Sequence, residues 1–391
     1  MSTATPGSRS ICLFIGSLKA GGAERVTLWL ARELVARGHR VTVLTHHGTD
    51  QDFFALPPGV SRAVVGLTEG SNSLPGKLML NIRRCLRVRA VLKNARADTI
   101  LAMMPHESVV AVVAATALRT RVVVSERNAP WHRRQDRIWT AMRRLVYRFS
   151  AAQVAQTQPI ADWLAQHAGS TRLHIIPNAV QDPLPSGTPV IAPPTRPGRR
   201  LVVAAGTKPW QKGFDLLLEA FTKVAADHPD WDLVLPGLLP DRVEEGLSGQ
   251  DILDRAAAAG LASRVILPGH VGNMPDWYGA ADLFILSSRF EGFPNVLVEA
   301  MSQGCACVAF DCDTGPRDIL TDGVDGLLVA QGDTEALARA MARTMGDDPL
   351  RARLGEAARD VRTRYASARI MDLWCTALDV PQGTTSTAAS S

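Results

Sequence analysis

Residues 287–304 constrain the fold more than any other part of this sequence. They follow a short apolar run, residues 280–286, whose length and abrupt polar end are typical of a buried parallel strand. Gly292 and Pro294 then predict a loop, and the apolar spacing after Pro294 predicts a helix over residues 295–301. The loop would therefore join the carboxyl end of a strand to the amino end of a helix, where open α/β sheets bind phosphorylated ligands.

Two carboxylates flank this loop, Glu291 before it and Glu299 two helical turns later. A phosphate site normally avoids acids, so we expect these carboxylates to accept hydrogen bonds from neutral sugar hydroxyls, while free backbone N–H groups bind the phosphate. The combination favours a nucleotide sugar as ligand. The alternative is a solvated helix start with Glu299 on an exposed face.

Length and composition predict a soluble globular chain of two domains. The 391 residues exceed one ordinary core, and 46% apolar with 21% charged residues are typical of such proteins. The longest nearly uncharged stretch, residues 108–118, is too short to cross a bilayer, and the start of the chain lacks a signal-peptide layout. The six cysteines form no disulfide or Cys-x-x-Cys pattern. A cytoplasmic location is therefore expected, with buried free thiols.

Charge is distributed unevenly between the two halves. Residues 1–180 contain 24 Lys and Arg against 10 Asp and Glu, a net charge of +14, and the remainder has a net charge of −9. Two basic runs, residues 77–96 and 133–148, contribute most of the excess. We expect this half to contact an anionic membrane surface, the alternative being a solvated charged face. Nucleic acid is not expected, because no recognition fold or aromatic platform accompanies the charge.

The amino-terminal half begins with a βαβ pattern. A strand over residues 11–15, a turn containing Gly21 and Gly22, a helix over 23–37 and a strand over 41–45 are predicted. The two glycines would let a phosphate or an acceptor approach the helix amino terminus, unless they only form a tight turn. The full Gly-x-Gly-x-x-Gly pattern is missing, so dinucleotide binding is weakly indicated.

Domain boundaries follow from composition. Residues 1–180 are predicted to form the first α/β domain, and residues 201–365 the second. The intervening residues 181–200 contain six prolines and no helical or strand period, which predicts a linker and hinge. A helix over about residues 366–381 is expected to cross back to the first domain, and residues 382–391 to form a disordered tail.

The segment SRFEGFPNVLVEAMSQGC resembles the Glu-x7-Glu signature of retaining glycosyltransferases of family 4, which have the GT-B fold. The following VAFDCDTGPRDILTDGVDGLLV resembles the subgroup that extends bacterial cell-surface and lipid-linked oligosaccharides. The resemblance extends more weakly from about Ile11 to Trp374, including a Gly-Gly-Ala-Glu-Arg turn and an Ile-Pro-Asn sequence at 176–178. It implies an α/β architecture of two Rossmann-like domains facing a central cleft.

The resemblance also implies roles for individual residues. Glu291 would contact the transferred sugar, Glu299 the ribose, and the turn at Val271 the base. Lys212 matches the lysine of the family's Gly-Arg and Lys-Gly pattern, whereas Thr207 occupies the position of its arginine, with Lys208 as the nearest alternative cation. The implied catalytic residues are Glu291, Lys212 and His106; the donor-binding residues Gly206, Lys208, Lys212, Val271, Glu291, Gly292, Phe293, Pro294, Asn295 and Glu299; and the acceptor-side residues Gly21, Gly22, Glu126, Arg127 and Arg317.

Some of these assignments have ordinary alternatives. His106 follows a predicted strand over residues 99–103 and is placed near the reacting sugar, although a surface histidine would fit as well. Glu126 and Arg127 belong to a Glu-Arg-Asn turn that we expect at the cleft without an assigned role. Arg317 is either an acceptor or phosphate contact or part of an exposed salt bridge.

The function implied is transfer of a hexose or N-acetylhexosamine, with retention, from a nucleotide sugar, expected to be UDP-linked. The acceptor would be a polyprenyl-diphosphate-linked or other glycan at the inner face of the cytoplasmic membrane. No cofactor and no metal are expected, since Asp311 and Asp313 match the metal motif of another glycosyltransferase fold without its context. The alternatives are a non-hydrolysing UDP-sugar epimerase, an inactive nucleotide-binding relative that reflects Thr207, and a dinucleotide-dependent oxidoreductase.

Overall fold

The computed structural model describes residues 7–19, 21–67, 73–132, 137–194 and 196–381. The chain forms two compact units, one from residues 1–179 together with 368–391 and the other from residues 180–367. Each unit is an α/β fold built on a parallel sheet. The chain therefore passes from the first unit to the second between residues 179 and 180, and returns to the first between residues 367 and 368.

The first unit contains, in its described residues, a seven-stranded sheet in the order β3-β2-β1-β4-β5-β6-β7. Its strands are β1 (Ser10–Ile15), β2 (Arg40–Thr45), β3 (Val60–Val64), β4 (Thr99–Ala102), β5 (Arg121–Ser125), β6 (Ala152–Ala155) and β7 (Leu173–Ile175). Its helices are α1 (Gly22–Ala36), α2 (Leu74–Asn94), α3 (Pro105–Ala115), α4 (Arg137–Val146) and α5 (Gln158–His167). The order 3-2-1-4-5 is that of a Rossmann-like fold, which binds ligands at the carboxyl ends of its strands.

Burial explains why these strands read as continuous apolar runs. Every residue of β1, β4 and β6 is buried, because helices cover both faces of a parallel sheet. On α1, Leu30 and Leu34 are fully buried at helical spacing. Several elements of this unit were not expected from the sequence, among them β3, whose residues are only partly buried, and helix α3, which begins at Pro105.

The second unit contains, among its described residues, a six-stranded sheet in the order β12-β9-β8-β13-β14-β15 and a short hairpin, β10-β11. The strands are β8 (Arg200–Val203), β9 (Trp231–Val234), β10 (Val243–Glu244), β11 (Leu247–Ser248), β12 (Val265–Ile266), β13 (Leu283–Leu286), β14 (Cys307–Asp311) and β15 (Leu327–Ala330). The helices are α6 (Phe214–Val224), α7 (Gly249–Ala258), α8 (Met274–Ala280), α9 (Asn295–Ser302), α10 (Pro316–Ile319), α11 (Thr334–Gly346), α12 (Asp348–Ala358), α13 (Val361–Arg364) and, continuing into the first unit, α14 (Ser367–Leu378).

Strand β13 lies in the middle of this sheet, between β8 and β14. Its register pairs Phe284 with Val203 on one side and Cys307 on the other. The strand starts at Leu283 instead of residue 280, because Ala280 ends α8 and the Asp282 carboxylate accepts a hydrogen bond from the Leu201 backbone N–H. The loops after β8 and β13 consequently leave the same edge of the sheet side by side.

The proline-rich residues 181–200 do not behave as a free linker. They form no helix and reach a strand only at Arg200, as expected, but hydrogen bonds attach them to the second unit. Gly187 N donates to Gly272 O over 2.8 Å, Gly272 N to Pro189 O over 2.7 Å, and Trp277 Nε1 to Ile191 O over 3.0 Å. Part of the predicted linker is therefore attached to the second unit, and the hinge stays a prediction.

Helix α14 belongs to the first unit from residue 368 onward. Trp374 is fully buried there, and the carbonyls of Leu378 and Ala377 accept hydrogen bonds from Thr99 Oγ1 and Arg121 Nη2 over 3.4 Å and 3.2 Å. The predicted disordered tail lies outside the described residues. Of the helices in the described ranges, none combines the length and apolar character needed to cross a bilayer.

Candidate functional site

Glu291 is the centre of a hydrogen-bonded cluster in the loop after β13. One oxygen of its carboxylate, Oε1, accepts from Lys212 Nζ over 2.6 Å and from Ser288 Oγ over 2.6 Å. The Glu291 residue is only 7% exposed. The carboxylate is therefore held in one position by a charge-assisted pair and a hydroxyl, and both interactions are of the strong kind.

Lys212 reaches Glu291 because the loop after β8 is built around two glycines. Gly206 lies under the Lys212 side chain, where a Cβ atom would come within 2.7 Å of Lys212 Cγ. Gly213 has φ +61°, and a Cβ atom there would collide with the carbonyl oxygen of Ser287. Ser287 Oγ also donates to Lys212 O over 2.8 Å. Close backbone approach of the two loops thus requires glycine at 213.

The two loops are braced further by Arg289. Its guanidinium donates to both oxygens of Asp215 over 2.8 Å and lies 5.0 Å from the centre of the Trp210 ring. The Arg289 backbone N–H donates to Gln211 O over 2.8 Å. Lys208, expected near the donor, donates from Nζ to Gln211 Oε1 over 3.2 Å. The strand-end loops therefore form one connected substructure.

Helix α9 begins directly after this substructure, with Pro294 as its N-cap and Asn295 as its first residue. Gly292, Phe293 and Pro294 are buried, so the chain enters the helix in a fixed path. Glu299 lies four residues after Asn295 in α9 and is 7% exposed. Its Oε2 accepts a hydrogen bond from the Tyr278 hydroxyl over 2.9 Å. The expectation of a solvated helix start is not met, since both carboxylates are buried and hydrogen-bonded.

The turn that contains Val271 lies after β12. Val271 is partly buried, and the preceding Gly269 has φ +78° and accepts from Gly237 N over 2.7 Å. Gly237 itself has φ +94°, and a Cβ atom on it would lie 2.9 Å from Gly206 O. The turns after β8, β9 and β12 thus pack closely at the same edge of the sheet.

Arg317 and the short helix α10 lie beyond β14. Arg317 binds both oxygens of Asp311 over 2.8 Å and 3.0 Å, and half of its side chain is exposed. The exposed salt bridge that was the alternative for Arg317 is therefore present, and it engages the first acid of the Asp311–Asp313 motif. Gly315, at φ +97°, packs against the site, because a Cβ atom there would lie 2.8 Å from Pro294 Cδ.

In the first unit, the expected residues fall at different places around the ends of β1, β4 and β5. Gly21 is the extended N-cap of α1 and Gly22 is its first residue. His106, expected on a loop, lies in the first turn of α3, because Pro105 starts a helix directly after β4. This corrects the predicted local structure at His106.

His106 belongs to a cluster with His46 and Glu107. Potential ligand atoms of the three residues all lie within 4.8 Å of one another, and His46 Nε2 is 3.6 Å from Glu107 Oε1. Burial lowers the pKa of His46 to about 4, so its ring is neutral at pH 7. Burial opposes ionisation of Glu107, but its contacts with His106 and His46 outweigh it and lower the pKa of the carboxyl. Among the described residues, these three side chains offer ligand atoms that are close enough together to hold a metal ion.

Glu126 is not placed to contact an acceptor. It is 2% exposed, and its Oε1 accepts from Arg143 Nη1 and from the Tyr147 hydroxyl, each over 2.9 Å. The expected role at a cleft is corrected to an internal ion pair of the first unit. The neighbouring Arg127 is also buried, with Asn178 Oδ1 as hydrogen-bond acceptor.

Several residues of the donor-side cluster were missed from the sequence: Ser288, Gly213, Gly315 and Tyr278. The signal for Gly213 and Gly315 was present in part, since glycine after a strand and before a helix often marks close backbone approach. Ser288 and Tyr278 gave no signal, because their role depends on contacts between separate segments.

The geometry supports binding of a ligand that combines negative charge and hydroxyls. Lys212 and the positive end of the α9 helix dipole can attract phosphate oxygens, and Glu291 and Glu299 can accept from hydroxyls. No other cation is joined to Glu291 in the described part of the chain. Binding of an anion at Lys212 would therefore change the charge balance at Glu291 directly.

Comparison with known families covers most of the chain. Residues 20–182 match the family described as Glycosyltransferase Family 4, and residues 188–361 match the family described as Glycosyl transferases group 1. The two matches correspond to the amino-terminal and carboxyl-terminal α/β units.

Curated relatives match over different lengths. An exopolysaccharide phosphotransferase of Streptomyces coelicolor is 36% identical over 231 residues, which are 57% of this chain but only 22% of that protein, so the chain spans far less than two thirds of it. A Campylobacter jejuni enzyme is 23% identical over 366 residues, 93% of this chain and 96% of that protein. Its name is GalNAc-α-(1→4)-GalNAc-α-(1→3)-diNAcBac-PP-undecaprenol α-1,4-N-acetyl-D-galactosaminyltransferase.

Among solved structures, HepE of Anabaena in complex with UDP and glucose superposes with a TM-score of 0.73 at 22% identity, over 95% of this chain and 99% of that chain. At this identity the likeness concerns the fold. Together with the family matches over both units, it shows that this chain belongs to the GT-B glycosyltransferases of family 4.

Proposed function

We propose that this protein transfers a hexose or N-acetylhexosamine from a UDP-sugar, with retention of configuration, to a lipid-linked oligosaccharide or polysaccharide precursor. The observation that carries the proposal is the cluster of Lys212, Ser288 and Glu291 immediately before the amino terminus of α9. Lys212 and the start of α9 could bind the diphosphate of a nucleotide sugar, and the fixed carboxylate of Glu291 could bind its sugar hydroxyls.

The donor would be bound entirely by residues of the second unit. The diphosphate would lie against Lys212 and the first N–H groups of α9, and the ribose hydroxyls would donate to Glu299, which Tyr278 already orients. The turn at Val271 would contact the base. The UDP complex of Anabaena HepE, which has the same fold, supports a uridine nucleotide as the first candidate.

The reaction would place negative charge on the diphosphate as the bond from the sugar's anomeric carbon to the phosphate oxygen breaks. Lys212 and the helix amino terminus would stabilise that charge, and the acceptor hydroxyl would attack from the same face while a diphosphate oxygen takes its proton. Glu291 would orient the sugar. Because these groups already oppose the charge of the leaving group, we infer that donor binding and transfer need no metal.

The acceptor proposal rests on the Campylobacter relative, whose named acceptor is linked to undecaprenol through a diphosphate. A lipid-linked acceptor would bring the protein to the inner face of the cytoplasmic membrane. Helix α2 has a surface that suits this location. Its exposed apolar residues lie at helical spacing along one side: Leu78 (64% exposed), Met79 (52%), Ile82 (45%) and Leu86 (60%).

Helix α2 is anchored in the first unit by Val88 and Leu92, which are buried. The exposed apolar stripe is flanked by the exposed cations Lys77 and Arg83. An amphipathic helix of this kind lies in a lipid interface, with its apolar side among acyl chains and its cations near anionic headgroups. We therefore infer that α2 docks on an anionic membrane surface.

Not all basic residues of α2 can serve this role. Arg84, Arg87 and Arg89 donate to backbone carbonyls of Leu67, Val65 and Ala114, over 2.8 Å, 2.6 Å and 2.9 Å, and so help to hold the helix in place. The membrane proposal therefore depends on the apolar stripe with Lys77 and Arg83.

A calorimetric titration of the full chain with UDP, GDP and NAD, in the presence of EDTA, tests the donor assignment. Saturable binding of UDP, with no binding of NAD, is the expected result. Binding of NAD alone would replace the proposal by a dinucleotide enzyme. Conversion of a free UDP-sugar into its epimer without any acceptor would identify an epimerase, and UDP binding without turnover on any acceptor would identify an inactive relative.

A further inference from the structure

Arg127 is a buried cation that has no anionic partner among the described residues. It lies two residues beyond the end of β5, is 6% exposed and donates through Nη2 to the amide oxygen of Asn178. Its Nε and Nη1 atoms have no hydrogen-bond acceptor within the part of the chain that the structure describes. Throughout the described residues, no carboxylate forms an ion pair with Arg127, whereas the adjacent Glu126 is paired with Arg143.

An unpaired buried charge is costly, since desolvation of a cation is offset only by a nearby anion or a full set of acceptors. Burial lowers the pKa of Arg127 to about 9, which leaves the guanidinium protonated at pH 7. Two of its three nitrogens lack acceptors. The most direct way to satisfy this side chain is a ligand that brings negative oxygens.

The surroundings of Arg127 supply further polar groups without partners. They lie at the carboxyl ends of β5 and β6, which are adjacent in the sheet. The hydroxyl of Ser125 and the side-chain oxygen of Gln156 have no hydrogen bond to any residue that the structure describes. Gln156 Nε2 donates to the same Asn178 oxygen as Arg127, over 3.0 Å. Arg127 and Gln156 are therefore held together at Asn178, and Ser125 precedes Arg127 by two residues at the end of β5.

Helix α5 starts at Gln158, two residues after Gln156. Its ten residues make it long enough to present a partial positive charge at its amino terminus. A buried guanidinium, a hydroxyl and a helix amino terminus that follow neighbouring parallel strands are the components of a phosphate site.

We propose that Arg127, Ser125 and the amino terminus of α5 bind a phosphate or diphosphate group. The diphosphate of the lipid-linked acceptor is the ligand that we assign to this site. That assignment rests on the function proposed above, whereas the site itself does not. The residues of this site belong to the first unit, whereas Lys212 and Glu291 belong to the second. Since the unpartnered atoms of Arg127 are covered, a local rearrangement must accompany entry of the ligand.

The test is a calorimetric titration of the full chain with inorganic pyrophosphate and, separately, with farnesyl diphosphate. Saturating UDP is present throughout, so that the donor loops are occupied. Arg127→Met removes the charge at similar volume, and Arg127→Lys keeps the charge. Arg148→Met is the matched control, because Arg148 is exposed and its guanidinium lies 5.0 Å from the centre of the Phe149 ring.

We expect at least one of the two diphosphates to bind the wild-type chain and the Arg148→Met variant equally. Arg127→Met should weaken diphosphate binding by about tenfold or more, because it removes a charge-assisted hydrogen bond. The affinity of Arg127→Lys should lie between those of the wild type and Arg127→Met. Tighter binding of farnesyl diphosphate than of pyrophosphate would assign the site to a lipid-linked acceptor, and equal binding would assign it to free diphosphate.

Equal affinity of wild type and Arg127→Met for the diphosphates, or no binding to the wild type, would overturn the inference. Thermal unfolding must remain cooperative in both Arg127 variants; if Arg127→Met fails to fold, loss of binding in Arg127→Lys relative to Arg148→Met decides instead. If the chain binds diphosphate through Arg127 but does not bind UDP, the proposed function is contradicted. The proposal of a diphosphate site at Arg127 would then still hold.

Discussion

Lys212 Nζ lies 2.6 Å from Glu291 Oε1, although the two residues are 79 positions apart in the chain. The loops that carry them leave the neighbouring strands β8 and β13. The ammonium group of Lys212 is thus engaged by a carboxylate. A diphosphate that binds Lys212 must compete with Glu291, so the pair links donor binding to the position of the carboxylate that would orient the sugar.

Replacing Glu291 by Ala should separate binding from chemistry. Loss of the carboxylate frees Lys212, so we expect UDP to bind as tightly as in the wild type or more tightly, while sugar transfer falls by about 100-fold or more. Calorimetry and a transfer assay measure the two effects. Glu245→Ala, at an exposed position in the hairpin of the same unit, is the control. Parallel loss of binding and transfer in Glu291→Ala would contradict this role.

Gly213→Ala should disrupt the contact between the two donor loops. The substitution introduces a Cβ atom into the carbonyl oxygen of Ser287 at a residue whose φ is +61°. Gly260→Ala is the matched control, because Gly260 has φ +73° and open space at its Cβ position. Both substitutions should cost about 1 kcal/mol of unfolding free energy for the backbone conformation, and Gly213→Ala about 1–3 kcal/mol more for the clash. Equal effects in urea unfolding would argue against close loop packing.

The ion pair between Arg143 and Glu126 should be structural. Both side chains are almost fully buried, and the Arg143 guanidinium also lies 4.7 Å from the centre of the Trp163 ring. Arg143→Ala leaves a buried carboxylate without its cation and should reduce the unfolding free energy by about 3–5 kcal/mol. Arg144→Ala, at the exposed neighbouring position, should change it by less than about 0.5 kcal/mol. Denaturant titrations that show similar small changes would refute the structural role.

The exposed stripe of α2 should determine membrane binding. Replacing Leu78, Ile82 and Leu86 together by Ser should reduce co-sedimentation with vesicles of anionic phospholipid by about tenfold or more, since burial of each apolar side chain contributes to interfacial binding. The control replaces three exposed valines of the second unit, Val190, Val243 and Val324, by Ser. If the α2 variant sediments with vesicles as the wild type does, the docking proposal fails.

The sequence predicted the donor-side elements well because their signals are local. The apolar run that ends at Leu286, the glycine and proline of the loop, and the helix from Asn295 are each encoded within a few residues. The family resemblance added the positions of Glu291 and Lys212. It could not show that Ser288 shares Glu291 with Lys212, because that contact depends on the packing of separate loops.

Charge patterns were less informative about individual residues. Arg84 and Arg87 belong to a basic run that suggests an exposed surface, yet their guanidinium groups bind carbonyls within the first unit. Glu126 and Arg127 are adjacent, but within the described ranges only Glu126 has an ion-pair partner. Whether a charged side chain is solvated, paired or left alone is decided by the surrounding elements, and composition does not contain that information.

The most direct test of the central claim is UDP release from UDP-sugars by the full chain with a polyprenyl-diphosphate-linked saccharide, in the presence of EDTA. We expect release that requires both the donor and the acceptor, that forms a product with the anomeric configuration of the donor, and that is abolished in Glu291→Ala. Wild-type release that is unchanged in Glu291→Ala, or no release with any UDP-sugar tested, would contradict the assignment of Glu291 and Lys212 as the centre of a sugar-transfer site.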